Sequence, residues 1–239
     1  MKTSVYLLAL ASFCAVSHGH GQGTLIAGHF GDADPTTEGF TLLRSGNPSL
    51  APVVDDLGVK AWSIGLDTGA DIGQYSQLLG DREQTALGSG WILSLTLRIV
   101  EPFGTPTFGI FAGVNAAFRF GAQSDGDPIL RVGNSEYTLE GAGPGYHNYQ
   151  LRYDPGLGVG SLWTDGTLLT TDIAVWPGAP TELAWGGAQH PPGSACAHWN
   201  EVSLRAIPEP STPALLVIGG ALLVAVRRRR TGAKPASRQ

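Results

Sequence analysis

The sequence predicts an all-β sandwich on three observations. Charged residues make up only 15% of the 239-residue chain against 42% hydrophobic. Soluble domains carry about 25% charge, so long surface helices, whose outer faces need Lys and Glu, have too little to draw on. Apolar residues alternate with a period of two in the clearest segments. The 34 Gly and 16 Pro fall largely between those segments, where tight turns need them. A charge-rich coiled coil is excluded by the first observation, and a polytopic membrane protein by the want of several long apolar runs.

In chain order, residues 1–19 carry the three parts of a secretory signal peptide. Lys2 is the positive end, Val5 to Val16 is an uncharged apolar stretch, and Ala15-Val16-Ser17 or Ser17-His18-Gly19 is the expected signal peptidase site. Twelve apolar residues are short for a bilayer core of about 30 Å, so the segment is expected to export the chain rather than anchor it. Cys14 is a poor lipid acceptor because Phe13 stands where a small residue is needed.

The body spans residues 24–206. Its clearest strand is Trp91 to Ile99, with Trp91, Leu93, Leu95, Leu97 and Ile99 on one face and Ile92, Ser94, Thr96 and Arg98 on the other. Tyr149, Leu151 and Tyr153 alternate with Asn148, Gln150 and Arg152 in the same way. Further strands are expected at Thr24–Phe30, Ala61–Asp67, Thr107–Gly113, Ala116–Gly121, Pro128–Val132, Gly158–Thr164, Glu182–Gly186 and His198–Ala206. Turn residues separate them, as at Asp125-Gly126-Asp127-Pro128 and Gly133-Asn134, and Asp165-Gly166 between Trp163 and Leu168 predicts a hairpin. Asp71–Leu87 is expected to hold a turn of helix.

Beyond the body, Pro208, Glu209 and Pro210 precede the apolar run Ala214 to Val226, which is followed by Arg227, Arg228, Arg229 and Arg230. Thirteen residues as a helix span about 20 Å at 1.5 Å per residue. That length suits a buried core helix, but no core accepts four adjacent arginines. They can instead stop transfer and snorkel to headgroups while the bilayer thins locally. A single transmembrane helix at 214–226 is therefore expected, with 232–239 as a cytoplasmic tail and the body outside. The order Pro-Glu-Pro, short Gly-containing apolar helix and basic cluster over 207–231 resembles the PEP-CTERM sorting signal. That resemblance implies a Gram-negative host and export machinery, followed by inner-membrane anchoring and processing by an exosortase-like membrane enzyme. It further implies a final place on the cell surface or in a polysaccharide-rich extracellular matrix or biofilm.

Between residues 20 and 207, eight Lys or Arg face nineteen Asp or Glu, a net charge near −11. Nucleic-acid binding, which is driven by Lys and Arg displacing counterions from phosphates, is not expected. Cys14 leaves with the signal, so Cys196 is alone and no intramolecular disulfide can form.

The segment Gly145-Tyr146-His147-Asn148-Tyr149-Gln150-Leu151-Arg152-Tyr153-Asp154, with the hairpin Ser161 to Gly166 after it, resembles paired strands of laminin-G-like and concanavalin A-like domains. The resemblance implies a jelly-roll β-sandwich. That fold serves lectin-like binding modules, protein-binding modules and polysaccharide-cleaving enzymes alike, and does not choose among them.

Retaining glycosidases need two carboxylates about 5 Å apart. Glu136 and Glu140 are the one Glu pair at i, i+4, and the second runs into Gly141. Neither a Gly-x-Ser-x-Gly elbow nor a His-Glu-x-x-His motif occurs, and His147, placed within a strand, is expected to be structural. Asp32 with Asp34, and Asp125 with Asp127, are candidate calcium ligands, since each pair offers hard oxygens in a Gly- or Pro-rich loop. Trp62, Tyr75, Trp176 and Trp199 are candidates for stacking on sugar rings. The expectation is a non-enzymatic exported module with polysaccharide as a candidate partner. The alternatives are a polysaccharide-active hydrolase or lyase on the same fold and a purely structural adhesion module.

Overall fold

The computed structural model describes residues 23–101, 107–112, 117–132, 135–173, 179–188 and 194–208. Those residues form β1 (Thr24–Phe30), a 3-10 turn (Pro35–Glu38), β2 (Thr41–Ser45), β3 (Ser49–Val54), β4 (Lys60–Leu66) and β5 (Ile72–Leu78). A short helix α1 (Asp81–Leu87) leads into β6 (Trp91–Glu101), β7 (Phe108–Ala112), β8 (Ala117–Ala122), β9 (Pro128–Val132) and β10 (Ser135–Thr138). The remaining strands are β11 (His147–Asp154), β12 (Val159–Thr164), β13 (Thr167–Ile173), β14 (Glu182–Ala188) and β15 (Ala195–Ala206). The all-β expectation holds.

Two antiparallel sheets pack as a sandwich. The eight-stranded sheet runs β13-β12-β11-β6-β15-β4-β3, with β1 also paired to β15. The seven-stranded sheet runs β10-β9-β8-β7-β14-β5-β2. β15 is long enough, at 12 residues, to pair with β6 along one edge while β4 and β1 share the other. A register shift between Trp199 and Glu201 resets its alternation, so that both Trp199 and Val202 face inward.

Period-two patterning builds the core. Trp91, Leu93, Leu95 and Leu97 of β6 line up with Tyr149, Leu151 and Tyr153 of β11 and with Leu204 of β15, all buried. The facing sheet contributes Tyr75, Phe108, Phe118, Phe120, Leu130, Leu183 and Trp185. Aromatic rings bridge the two layers, with Trp185 5.0 Å from Tyr75 and 5.2 Å from Trp199 between ring centres. Each such ring buries a large apolar area in offset or edge-on contact. Truncating one to Ala costs about 3–5 kcal/mol.

The helix expected within Asp71–Leu87 is confined to α1, and β5 takes the first half. Gly73 and Tyr75 alternate inward there while Gln74 and Ser76 point out. A glycine and an amide in place of strong β-formers hid that alternation. Among the described residues no helix is long and apolar enough to cross a membrane. The expected signal segment, the run Ala214 to Val226, Glu209, Pro210, Arg227, Arg228, Arg229, Arg230 and Trp176 lie outside the described residues; Pro208 lies within them and is exposed.

Candidate functional site

Three of the four aromatics expected to meet sugar are inside the protein. Trp62, Tyr75 and Trp199 are 6%, 1% and 0% exposed, so no ring can stack on them; the expectation is corrected. The phase of their strands decides this, because each stands on the inward side of its sheet. Trp62 Nε1 donates to Tyr75 Oη at 3.0 Å, and burial pushes the Tyr75 phenol up to about 12.

Three of the four loop aspartates, Asp34, Asp125 and Asp127, cap backbone N–H groups. Asp34 Oδ1 accepts from Thr36 N and Thr36 Oγ1 at the start of the 3-10 turn, and Asp32 lies 3.4 Å from Lys60 Nζ. Asp125 Oδ1 accepts from Asp127 N. Asp127 takes Gly141 N on Oδ2 and Gly143 N on Oδ1, at 2.7 and 2.8 Å, and these N–H groups lower its carboxyl. No three His, Cys, Asp or Glu side chains gather among the described residues. Calcium needs six to eight oxygens, and carboxylates already aimed at N–H protons do not fit it.

Asp127 instead fixes the loop between β10 and β11, and that loop carries a polar network. His147 Nδ1 lies 2.8 Å from Asp165 Oδ2 and its Nε2 3.0 Å from Gly143 O. Pro144 O accepts from Arg98 Nε at 2.9 Å. The Arg98 guanidinium also reaches Asp56 and lies 3.2 Å from Asp55 Oδ2. Asp55 sits in the β3–β4 turn, where Oδ1 accepts from Leu57 N and Val59 N.

Burial alone would raise Asp55, but donations from Val59 N, Leu57 N and Arg98, with the Tyr146 phenol nearby, outweigh it and hold the carboxyl at about 2. Burial, reinforced by Asp55, pushes the Tyr146 phenol up. Burial also depresses His198, whose Nδ1 lies 3.6 Å from Asp55 Oδ2 without hydrogen-bonding it. Acid, phenol and imidazole are thus all displaced away from neutrality. Such groups clamp three chain segments and are poorly tuned to exchange protons at pH 7.

The outer face of the seven-stranded sheet is built differently. One cross-strand row reads Leu43, Gln74, Gly186, Gly109, Arg119, Arg131 and Glu136 from β2 to β10. Between Gln74 and Arg119 this row has no side chain, across about 14 Å at the usual strand spacing. Gly186 is required there: its φ is +131°, and a Cβ would meet Gly73 O at 2.2 Å. Ala184 precedes it on the outward side of β14, beside Ser76. Ala184 and Gly186 are nevertheless buried, and the Gln74 amide, the Ser76 hydroxyl and the Arg119 guanidinium stand on the same side of the sheet. Leu43 and Leu78 stand on the same face, 58% and 80% exposed. Polar groups beside exposed apolar side chains are what ligand sites offer. Sequence reading missed this face because a missing side chain carries no motif, and its only signal is the register that aligns two glycines.

No family model matches the chain, and no curated protein is significantly similar to it in sequence. Among solved structures it is similar to a carbohydrate esterase from a Shiga toxin-encoding bacteriophage, with TM-score 0.55, 13% identity and coverage of 78% of this chain and 100% of that one. It is also similar to the binding domain of botulinum neurotoxin serotype D/C, with TM-score 0.51, 15% identity and coverage of 83% and 52%. A sialidase gives TM-score 0.54 at 8% identity, with coverage of 77% and 19%. The chain thus spans about half of the toxin domain and a fifth of the sialidase. At these identities the likeness is one of fold.

Proposed function

We propose that this is an exported cell-surface or extracellular-matrix protein whose concanavalin A-like sandwich binds polysaccharide without cleaving it. The observation that carries the reading is the outer face of the seven-stranded sheet, where exposed Leu43 and Leu78 stand with Gln74, Ser76 and Arg119. Sugars present both apolar ring faces and hydroxyl rims, and exposed leucines among donors and acceptors suit both. Structural likeness to a carbohydrate esterase, a sialidase and the binding domain of a neurotoxin is compatible with this role. Export would follow from the Lys2 to Gly19 signal and sorting from Pro208, Glu209, Pro210 and the four arginines. Signal peptidase and an exosortase-like enzyme are then the processing partners, with a stage of inner-membrane anchoring between them.

Affinity electrophoresis of the full chain through gels containing soluble polysaccharides tests the binding claim. Retardation in at least one gel, weakened by Gln74→Ala, is expected. Equal mobility in every gel would leave a structural adhesion module. Shortened polymer recovered from the gel would mark an enzyme on the same fold.

A further inference from the structure

We infer that the loop joining β10 to β11 is a pH-sensitive strap, fastened while the His147 ring is doubly protonated and slackened when that ring loses a proton. Both ring nitrogens of His147 face acceptors. Nδ1 lies 2.8 Å from Asp165 Oδ2, and Nε2 lies 3.0 Å from Gly143 O. A carboxylate and a carbonyl offer no proton, and a neutral imidazole carries only one. The neutral ring therefore sets one of the two contacts lone pair against lone pair, whereas the imidazolium donates to both. Asp165 is held in place, since its Oδ1 accepts from Asn148 N and its own N–H donates to Asn148 O, each at 2.8 Å. The ring, at 6% exposure, has no solvent to turn to. A carboxylate is the stronger acceptor, so the neutral ring keeps its proton on Nδ1 and releases Gly143 O.

Little else fastens the strap. None of residues 140–146 is buried. The hydrogen bonds that tie 141–144 to the rest of the described residues run to ionisable side chains. Asp127 accepts from Gly141 N and Gly143 N, His147 meets Gly143 O, and Arg98 Nε donates to Pro144 O. These groups come from every element packed around the ring: Asp165 from the β12–β13 turn, Asp127 from the β8–β9 loop and Arg98 from β6. Beside Tyr146, at the end of the strap, stands Asp55, with Asp56 on Arg98 and His198 at 3.6 Å. The Gly143 and Gly141 N–H groups lower Asp127, and Asp56 and Asp55 raise Arg98. Both therefore keep their charge across the range in which an imidazole titrates. Of the three fasteners, only His147 changes. The strap is tight below neutrality and loses one hold as pH rises.

Amide hydrogen exchange of the full chain at pH 5.5 and pH 8, corrected for the intrinsic pH dependence of exchange, tests the strap. Protection of the Gly141 and Gly143 amides is expected to be about tenfold lower at pH 8, through loss of one charge-assisted hydrogen bond. In His147→Gln, whose side chain does not titrate, protection should be equal at the two values. The ring gives a second readout that needs no variant. Its nitrogen resonances should show both nitrogens protonated at pH 5.5 and Nδ1 alone protonated at pH 8. Equal protection in the unaltered protein at the two values overturns the strap, as does a pH response that persists in His147→Gln. A ring still neutral at pH 5.5 overturns it too.

Discussion

Asp55 shows how a single carboxylate organises distant segments. Its oxygens hold the β3–β4 turn through Leu57 N and Val59 N and reach Arg98 on β6. Its folded value of about 2 lies below the ordinary 3.8. The stability it contributes is therefore fully present above about pH 4 and lost as pH falls towards 2. His198 is depressed below its ordinary 6.5, so the folded state prefers the neutral ring and loses stability as acid charges it. Asp55→Asn should lower the melting temperature at pH 7, with the gap to the unaltered protein closing towards about pH 2.5; a gap independent of pH would remove the carboxylate from this role. Asp127 gives a second residue-scale expectation. Because both its oxygens accept N–H groups, EDTA should leave the melting temperature unchanged, and a drop would restore calcium to the loop.

At the scale of the element, β14 combines two demands. Trp185 faces the core between Tyr75 and Trp199, while Ala184 and Gly186 put only small groups on the other side. Gly186→Ala puts a Cβ 2.2 Å from Gly73 O at a φ of +131°. It should cost more than the roughly 1 kcal/mol of an ordinary exposed glycine substitution, measurable as a fall in the urea midpoint; an unshifted midpoint would show that the sheet yields. How much of this was legible depended on the side chains available. The strands β6 and β11 announce themselves because large apolar residues occupy every inward position. The hairpin at Asp165-Gly166 did so because both residues take positive φ, 46° and 78°, as a type I′ turn requires. β5 was obscured by Gly73, and β2, β3, β10 and β13 are short or largely exposed strands with weak alternation. Trp62 and Trp199 were legible as strand residues, but their inward direction depended on register and on the bulge in β15; Tyr75 was hidden with the rest of β5.

For the whole molecule, the packed aromatic core and the two sheets must supply stability without a crosslink. Cys196 is a free thiol, raised by burial, and the monomer should melt at the same temperature with and without reductant. A reductant-sensitive melt would reveal a covalent partner. The two faces of the sandwich then divide the labour. One sheet carries the Asp55–Arg98 clamp, and the other turns Leu43 and Leu78 outward. Hydroxyl-radical footprinting of the full chain with and without bound polysaccharide tests that division most directly. The account predicts protection at Leu43 and Leu78, on the outer face of the seven-stranded sheet, with Leu157 and Val54 labelled as before. Protection of Leu157 or Val54 with Leu43 and Leu78 unchanged would contradict it.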